Sequence, residues 1–432
     1  MTATVPTTRT SYRNVLALPG ARLWYVTAAL ARAPVVMAPL ALVFAGYSAG
    51  SFTLGGTLAA VYALGEAAAA PMLGRWFDTR PFVPVLRWTL TANAISYVAL
   101  AVTAGRTPAA VLIVLAAFAG ATGSGAPGGM RAQLSAATPE DLRASALSLD
   151  TSLSQAVRAA APPLASGLYA LSTASGTLIA MAVFVAVPAA AAHRIPHGPT
   201  PSQAHPRQQD DSKVTQILRR SWATALLSAA IMFLIGTVDV LLPARLKAVG
   251  SSPTLAGPVL AAFAVTSIVA GLVYGARTWP GGMRAQSACM LLLMTAALAI
   301  PGLSGQPLTY ALVFALAGTL YSPLLTLRNL ALQEQLPQTA WATGFSILYA
   351  AAGLGYGVAG LLAAALLDTT TTSTAFLACT AATLVLGIIA LAAERPSSPD
   401  PASKDATEPR MQNGRGGSDG GRPVPGRGGQ QC

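Results

Sequence analysis

The stretch that decides the fold is Trp222–Leu242, which reads WATALLSAAIMFLIGTVDVLL. Asp239 is its one charged residue, and about 20 mostly apolar residues are enough for an α-helix to cross the hydrocarbon core of a bilayer. The whole 432-residue chain has the same character, with 53% hydrophobic residues, 10% charged residues and a mean hydropathy of +0.55. Soluble domains are about 25% charged, so the sequence predicts an all-α membrane protein.

Twelve stretches are long and apolar enough to be spanning helices. The predicted spans are Arg22–Ala45, Phe52–Leu73, Trp88–Ala104, Ala109–Gly129, Ala146–Leu171, Gly176–Ala192, Trp222–Leu242, Leu255–Ala276, Ser287–Leu303, Leu308–Leu327, Ala342–Leu367 and Thr374–Ala393. They divide the chain into an N-terminal cytoplasmic arm (1–21), two six-helix bundles (22–192 and 222–393), a flexible cytoplasmic linker (193–221) and a cytoplasmic tail (394–432). The tail is rich in Gly, Pro and Arg with little to bury, so we expect it to be disordered.

The positions of Lys and Arg predict the orientation in the membrane. With both termini in the cytoplasm, 22 of the 27 Lys and Arg residues fall on the cytoplasmic side, and only Arg106, Arg245 and Lys247 fall outside. Loops rich in these residues stay on the cytoplasmic side. The sequence therefore predicts a multi-pass membrane protein with both termini in the cytoplasm. The same distribution explains the net charge of +12 without a nucleic-acid partner.

The two halves of the chain are similar to each other. A shift of 198 residues places Ser148 on Ser346 and pairs the fourth and fifth spans with the tenth and eleventh. A shift of 201 residues places Gly74 on Gly275. These matches indicate two six-helix repeats, and parallel repeats of this kind are one construction of secondary transporters.

Cysteine, histidine and nucleotide-binding motifs give no sign of a cofactor or an enzyme. Cys289 and Cys379 lie in apolar spans and Cys432 is the last residue, so no disulfide framework is indicated. The three histidines share one proline-rich part of the linker: His193, His197 and His205. A solvated linker is favoured there over a metal site. A glycine loop ending in Lys-Ser/Thr, which would bind a nucleotide, is absent from the sequence.

Five charged residues persist inside the predicted spans: Arg32, Glu66, Asp150, Arg158 and Asp239. A charge at the bilayer centre costs a few kcal/mol, so such residues usually pair or face a water-filled cavity. The third, sixth, ninth and twelfth spans have no charge in their interiors. We therefore expect these four helices to be outer supports and the other eight to surround a shared cavity.

Glu66 is the main candidate for carrying a coupling proton, with Arg32 tuning it and Asp239 as the second candidate. A carboxyl group at this depth can gain and lose a proton as the cavity wets and dries. The alternatives are a structural Arg32–Glu66 ion pair, and an anionic substrate held by Arg158 and Arg32. Three tyrosines of the second and eleventh spans are candidates for stacking on a bulky ligand, with core packing as the alternative: Tyr62, Tyr349 and Tyr356.

The segment Leu73–Arg80, which reads LGRWFDTR between the second and third spans, resembles the signature loop of the major facilitator superfamily. In that family the loop helps to latch the cytoplasmic sides of the two halves together. The resemblance implies that Gly74 permits a tight turn and that Asp78 makes the latch contact. It also implies Arg80 and Arg131 as cationic partners of Asp78.

The resemblance is partial at this loop. Thr79 replaces a basic residue and Pro81 replaces a glycine, and the equivalent loop of the second half, at 275–279, has no aspartate. The fifth span, which contains APPLASG at 161–167, distantly resembles the Gly- and Pro-rich helix of the family's antiporters. The Ala-rich, Arg-rich composition is similar to that of actinobacterial exporters of drugs and secondary metabolites.

Together, the residues and the resemblance imply a monomeric secondary transporter that works by alternating access. We expect proton-coupled efflux, by antiport, of a small amphipathic or antibiotic-like molecule. The first alternative is an importer of a sugar, amino acid or organic anion on the same fold. The second alternative, a membrane enzyme or a receptor, is disfavoured because the chain has no sizeable soluble domain.

Overall fold

The structure is a computed structural model that describes residues 12–49, 52–195, 214–252, 255–277 and 279–394. The α-helices of these residues are α1 (Tyr12–Ala17), α2 (Ala21–Ser48), α3 (Phe52–Thr79), α4 (Phe82–Thr103), α5 (Ala109–Gly123), α6 (Gly125–Ala137), α7 (Glu140–Leu171), α8 (Ala174–Ala191), α9 (Val214–Ala248), α10 (Ala256–Gly275), α11 (Met283–Leu303), α12 (Pro307–Gln335), α13 (Trp341–Thr369) and α14 (Thr372–Ala393).

The helices confirm the all-α membrane fold. Eleven helical segments of the described residues are long and apolar enough to cross a membrane, with α5 and α6 forming one of them. The helix that covers the fifth predicted span, α7, has 32 residues but a more polar sequence. Its inward-facing polar residues explain the difference, because α7 packs between the two halves of the protein rather than against lipid alone.

Several helix boundaries differ from the predicted spans, and three of the differences are described here. The fourth span is broken between α5 and α6, because Pro127 has no N–H group to bond the carbonyl of Gly123 four residues earlier. α7 already begins at Glu140. α9 begins at Val214, inside the predicted linker, so the linker is shorter than expected; residues 196–213 of that linker lie outside the described part of the chain.

The helices pack as two bundles, each with its own apolar core. Trp24 and Leu86 belong to the core of α2–α8, and Leu234 and Phe314 to the core of α9–α14. The bundles meet through α3, α6 and α7 of the first and α10, α12 and α13 of the second. These are helices of the second, fourth, fifth, eighth, tenth and eleventh predicted spans, which the charge pattern had assigned to the centre.

One face of the protein carries four exposed arginines and is called the basic end below: Arg80, Arg87, Arg277 and Arg284. α3 and α10 end there, and α7 and α13 begin there. Residues 341–348 of α13 are all buried, whereas beyond residue 352 its described buried residues are Gly355, Ala359 and Ala363, spaced four apart. The first bundle therefore covers α13 near the basic end, and α13 separates from that bundle towards the opposite end. The protein is thus closed at the basic end.

A buried ion pair ties α14 to α12 near the basic end. Arg328 is 1% exposed, and its Nη1 lies 2.8 Å from Oε1 of Glu394, which also accepts hydrogen bonds from Thr224 at 3.2 Å and Gln335 at 3.3 Å. The tenth span was predicted to end at Leu327, but α12 continues to Gln335 and buries Arg328. Glu394, predicted as the first residue of the disordered tail, lies instead at the end of α14 in this ion pair. Residues 395–432 of the predicted tail lie outside the described residues.

We expect Arg328→Met and Glu394→Leu each to lower the free energy of unfolding by about 3 kcal/mol or more, because removing one partner leaves a buried charge uncompensated. The double variant should be less destabilised than either single variant, since no lone charge remains. Thermal and denaturant unfolding of the purified protein in detergent measures both effects. Arg106→Gln, at an exposed loop position, is the control. Single variants as stable as this control would contradict the interpretation.

Candidate functional site

Three charged residues of the first bundle form one buried cluster. Asp150 of α7 is fully buried and lies between Arg32 of α2 and Arg131 of α6. Arg32 Nη1 is 2.5 Å from Oδ1 and Arg131 Nε is 2.8 Å from Oδ2. Arg32 also donates a hydrogen bond of 3.0 Å to Ser154. Both carboxylate oxygens of Asp150 are thus bound by arginine, and the cluster has a formal charge of +1.

This cluster changes the partners that the sequence had suggested. Arg32 pairs with Asp150 and not with Glu66, so the Arg32–Glu66 ion pair is absent from the described residues. Arg131 also pairs with Asp150 rather than with Asp78. Its helix, α6, continues past the predicted end of the fourth span, which is why Arg131 lies in a helix and not in a loop.

Glu66 lies in the middle of α3, where it is partly buried. Tyr349 of α13 donates a hydrogen bond of 2.9 Å to Oε1 of Glu66, which joins the two bundles. No arginine, lysine or histidine of the described residues forms an ion pair with Glu66, in contrast to Asp150 and Asp239. Glu66 is therefore a carboxyl group at the bundle interface whose charge has no cationic partner.

The other predicted tyrosine of α3 belongs to the core. Tyr62 is 1% exposed, and its hydroxyl lies 3.2 Å from that of Tyr97 in α4. Gly120 of α5 approaches the backbone of Tyr62 so closely that a Cβ there would lie 2.0 Å from its carbonyl oxygen. Tyr62 thus lies in the packing between α3, α4 and α5. Its position fits core packing rather than stacking on a ligand.

A second charge pair lies between the bundles, further from the basic end. Arg158 of α7 has Nη2 3.8 Å from Oδ2 of Asp239 in α9, with side chains 35% and 30% exposed. The hydroxyl of Tyr356 donates to the same Oδ2 at 2.9 Å, and the Arg158 guanidinium lies 4.8 Å from the centre of the Tyr356 ring. Arg158, Asp239 and Tyr356 were each predicted as candidates for lining one cavity. In the structure the three side chains lie together, and all of them are partly exposed.

Asp78 connects the end of α3 to the start of α13. Its Oδ1 accepts a hydrogen bond from the backbone N–H of Ala342 at 2.9 Å, and its Oδ2 accepts from the N–H and the hydroxyl of Thr343 at 2.8 and 2.5 Å. The first N–H groups of a helix lack intrahelical partners and carry a partial positive charge. Asp78 therefore caps a helix of the other bundle, and this contact closes the basic end.

Gly74 allows the two helices to approach at this contact. A Cβ at Gly74 would lie 2.7 Å from Oγ of Ser346 and 2.8 Å from the carbonyl oxygen of Ala342. The glycine thus serves close helix packing rather than the tight turn that the resemblance implied, because α3 continues to Thr79. Arg80 does not reach Asp78: its guanidinium stacks 5.5 Å from the ring centre of Trp76.

The second half has an equivalent interface between α10 and α7, built without an aspartate. Ser145 and Ser148 of α7 donate hydrogen bonds to the carbonyls of Gly275 and Gly271 in α10. Ser152 donates to the next turn of α10 at 3.3 Å. A Cβ at Gly275 would lie 2.6 Å from Oγ of Ser148, so Gly275 and Ser148 repeat the contact of Gly74 with Ser346.

Tyr12 of α1 adds to this second interface. Its hydroxyl donates a hydrogen bond to the carbonyl of Leu272 in α10, and it lies against Gly275. Burial raises the pKa of the Tyr12 hydroxyl to about 12, so the group remains a donor at neutral pH. Because α1 otherwise packs on α7 and α2 of the first bundle, Tyr12 bridges the two bundles beside Gly275.

Sequence reasoning missed the serines, Thr343 and Tyr12. The three serines of α7 recur at intervals of three and four residues, which places them on one helix face, and the 198-residue repeat had already matched Ser148 to Ser346. Those two signals were sufficient to predict a serine-lined interface. For Tyr12, in a segment read as a cytoplasmic arm, the sequence offered no comparable signal.

Within the described residues, no group of three His, Cys, Asp or Glu side chains is arranged to hold a metal ion. His193 lies in a 3-10 turn with Nδ1 3.0 Å from the carbonyl of Ala190. His197, His205 and Cys432 lie outside the described residues.

The two bundles pack closely at one end, and charged residues lie at the centre of the interface between them. This arrangement is typical of an alternating-access transporter. The sequence matches the family described as Major Facilitator Superfamily over residues 24–340 and 224–424. The chain belongs to the major facilitator superfamily, and it is a multi-pass membrane transporter rather than an enzyme. Transporters of this family bind small-molecule substrates, some of them with protons.

Solved structures of low sequence identity share the fold. A bacterial homologue of the iron transporter ferroportin in an outward-facing state has a TM-score of 0.67 at 17% identity, covering 86% of this chain and 99% of that one. The E. coli fucose:proton symporter FucP has a TM-score of 0.66 at 14% identity, covering 88% and 100%. The human organic anion transporter MFSD10 (TETRAN) has 0.65 at 15%, covering 88% and 99%. A search of curated proteins finds no significant match.

We expect Asp78→Asn to increase the population that is open at the basic end about fivefold. This corresponds to a change of about 1 kcal/mol in the free energy between the closed and open states. The variant loses a negative charge and one acceptor at the start of α13. Spin labels on Glu140→Cys of the first bundle and Arg284→Cys of the second report the opening as a longer distance in lipid nanodiscs. Asp141→Asn, an exposed carboxylate at the same end, is the matched control. An equal shift in both variants would contradict the capping role of Asp78.

Proposed function

We propose that this protein is a proton-coupled exporter of small amphipathic or antibiotic-like molecules in a bacterial inner membrane. Its two bundles rock about the interface described above, and the substrate enters a cleft between α3, α7, α9 and α13. The observation that carries this proposal is the position of Glu66, a carboxyl group on the bundle interface without a cationic partner among the described residues.

A lone carboxylate at this depth is costly to bury, whereas the protonated acid is much less so. Asp150 and Asp239 are compensated by arginines and can stay ionised. Among the described residues Glu66 is bonded only by the hydroxyl of Tyr349, and that hydroxyl can donate to a carboxylate or accept from a carboxylic acid. Glu66 is consequently the central acid at which a proton changes the charge balance of the interface.

The contact between Glu66 and Tyr349 links that proton to the conformation. Glu66 and Asp78 are both on α3, and Tyr349 and Thr343 are both on α13. A hydrogen bond from Tyr349 to an ionised Glu66 is charge-assisted and stronger than one to the neutral acid. Protonation of Glu66 therefore changes the strength of a contact between the same two helices that Asp78 holds together.

The orientation and the direction of transport belong to this proposal. The Arg-rich loops support a cytoplasmic basic end, and with that orientation the closed end is cytoplasmic and the proposed cleft opens to the outside. The alternative is import of a sugar, amino acid or organic anion on the same fold. The fucose:proton symporter and the organic anion transporter among the structural neighbours support retaining this alternative. Deleting the protein raises the cellular content of a labelled compound if it exports it, and lowers uptake if it imports it.

We expect Glu66→Gln to abolish the response of transport to a pH gradient while substrate exchange without a gradient continues. The amide keeps the size and the hydrogen bond with Tyr349 but cannot exchange a proton. Transport of a compound found in a susceptibility panel of natural products is measured in proteoliposomes, with and without an imposed gradient. Glu140→Gln, at the exposed start of α7, is the control, and full gradient-driven transport by Glu66→Gln would remove Glu66 from the mechanism.

We expect the basic end to be cytoplasmic in cells. In a background in which Cys289, Cys379 and Cys432 are replaced by serine, a membrane-impermeant maleimide should label Arg106→Cys, in the loop between α4 and α5, in intact spheroplasts. It should label Arg284→Cys only in inverted vesicles. The reverse labelling pattern would overturn the orientation and, with it, the assignment of the cleft to the outside.

A further inference from the structure

Arg158 differs from the other arginines at the centre of the protein because its hydrogen-bond donors are unused. Arg32 and Arg131 both donate to Asp150 at hydrogen-bond distance. Arg158 makes no hydrogen bond with any described residue: its nearest carboxylate oxygen, Oδ2 of Asp239, is 3.8 Å away. A guanidinium group has five N–H donors in a planar fork that matches an oxyanion. Arg158 thus presents these donors to the cleft, where its side chain is 35% exposed.

The surroundings of Arg158 hold it without occupying its donors. The Tyr356 ring lies 4.8 Å from the guanidinium carbon, a distance at which a cation and an aromatic ring attract each other. Asp239 lies on the other bundle, and its Oδ2 is already bound by the Tyr356 hydroxyl at 2.9 Å. Asp239 therefore balances the charge of Arg158 at a distance that leaves the pair easy to separate.

The face of α13 beside this pair leaves room for an apolar body. Tyr349, Gly353, Tyr356 and Gly360 follow one another at intervals of four, three and four residues, which places them on one side of the helix. A Cβ at Gly353 or at Gly360 would meet nothing within 4 Å. Flat tyrosine rings alternate there with open spaces, next to the unused donors of Arg158.

We propose that Arg158 binds an acidic group of the transported molecule, that the substrate is therefore an amphipathic organic acid with a carboxylate or sulfonate, and that the acid displaces Asp239 from Arg158. This inference rests on the proposed function and specifies its substrate class. Arg158 and Asp239 together carry no net charge. A substrate with one negative charge can therefore take the place of the Asp239 carboxylate beside Arg158. The apolar part of the acid lies along Tyr356 and the glycines of α13.

Two pairs of dyes that differ only at one carboxyl group test the inference: rhodamine 110 with its methyl ester rhodamine 123, and fluorescein with its methyl ester. Binding to the full-length protein in nanodiscs is measured by fluorescence anisotropy, with protein-free nanodiscs as the blank. In both pairs the acid should bind about tenfold or more tightly than the ester, as expected for a hydrogen-bonded charge pair. Arg158→Gln should abolish this preference, and Arg106→Gln should preserve it.

Asp239→Asn separates a binding role of Arg158 from a merely structural one. If the acid competes with Asp239, this variant binds the acid dyes several-fold more tightly than the unaltered protein. If the pair only holds the bundles together, Asp239→Asn loses binding as Arg158→Gln does. Equal affinity of acids and esters, no binding of either acid, or weaker acid binding by Asp239→Asn would each overturn the inference.

The binding experiment uses no pH gradient, so its result is independent of proton coupling. A protein that prefers the acid dyes but transports without response to a gradient would retain the substrate class and lose the coupling role of Glu66. A protein with gradient-driven transport and no acid preference would retain the proposed function and lose the role of Arg158.

Discussion

The cap that Asp78 places on the first turn of α13 joins the two bundles at the closed end of the protein. It joins a carboxylate of one bundle to unpaired backbone N–H groups of the other, and it can form only because Gly74 lets the helices approach to contact distance. The first bundle encloses α13 where the helix is capped, and α13 separates from that bundle beyond residue 352. The partly exposed pair of Arg158 and Asp239 lies where the helices have already separated.

The second interface shows that the repeat preserved a packing geometry while the chemistry diverged. Gly275 and Ser148 make the same close contact as Gly74 and Ser346, but serine hydroxyls and Tyr12 replace the carboxylate. Interhelical hydrogen bonds of this kind contribute on the order of 0.6 kcal/mol each in membrane proteins. An interface made of several such bonds is stable as a set and opens at a moderate cost, which suits a protein that alternates between two states.

Much of the fold was predictable from the sequence, because the bilayer requires long apolar helices and the 198- and 201-residue repeats fix their correspondence. Glu66, Arg158 and Asp239 were also recognisable, since charges within apolar spans are conspicuous. Their pairing was not predictable. Arg32 lies at a depth similar to that of Glu66 in the next helix, yet it bonds Asp150, which is 118 residues away. Partner choice depends on which helix faces touch, and helical periodicity in so uniformly apolar a chain scarcely marks those faces.

The distribution of counter-ions divides the central charges into two kinds. Asp150, bound by two arginines, joins α2, α6 and α7 within one bundle and has no reason to change its state as the bundles move. Glu66 and Asp239 instead accept hydrogen bonds from Tyr349 and Tyr356, on one face of α13. Tyr349 donates to Glu66 of the opposite bundle. Tyr356 donates to Asp239 of its own bundle, and Asp239 lies beside the guanidinium of Arg158 in the opposite bundle. A movement of α13 and α9 away from α3 and α7 therefore changes the surroundings of both acids at once, so the proposed proton on Glu66 and the proposed ligand on Arg158 would act on the same interface.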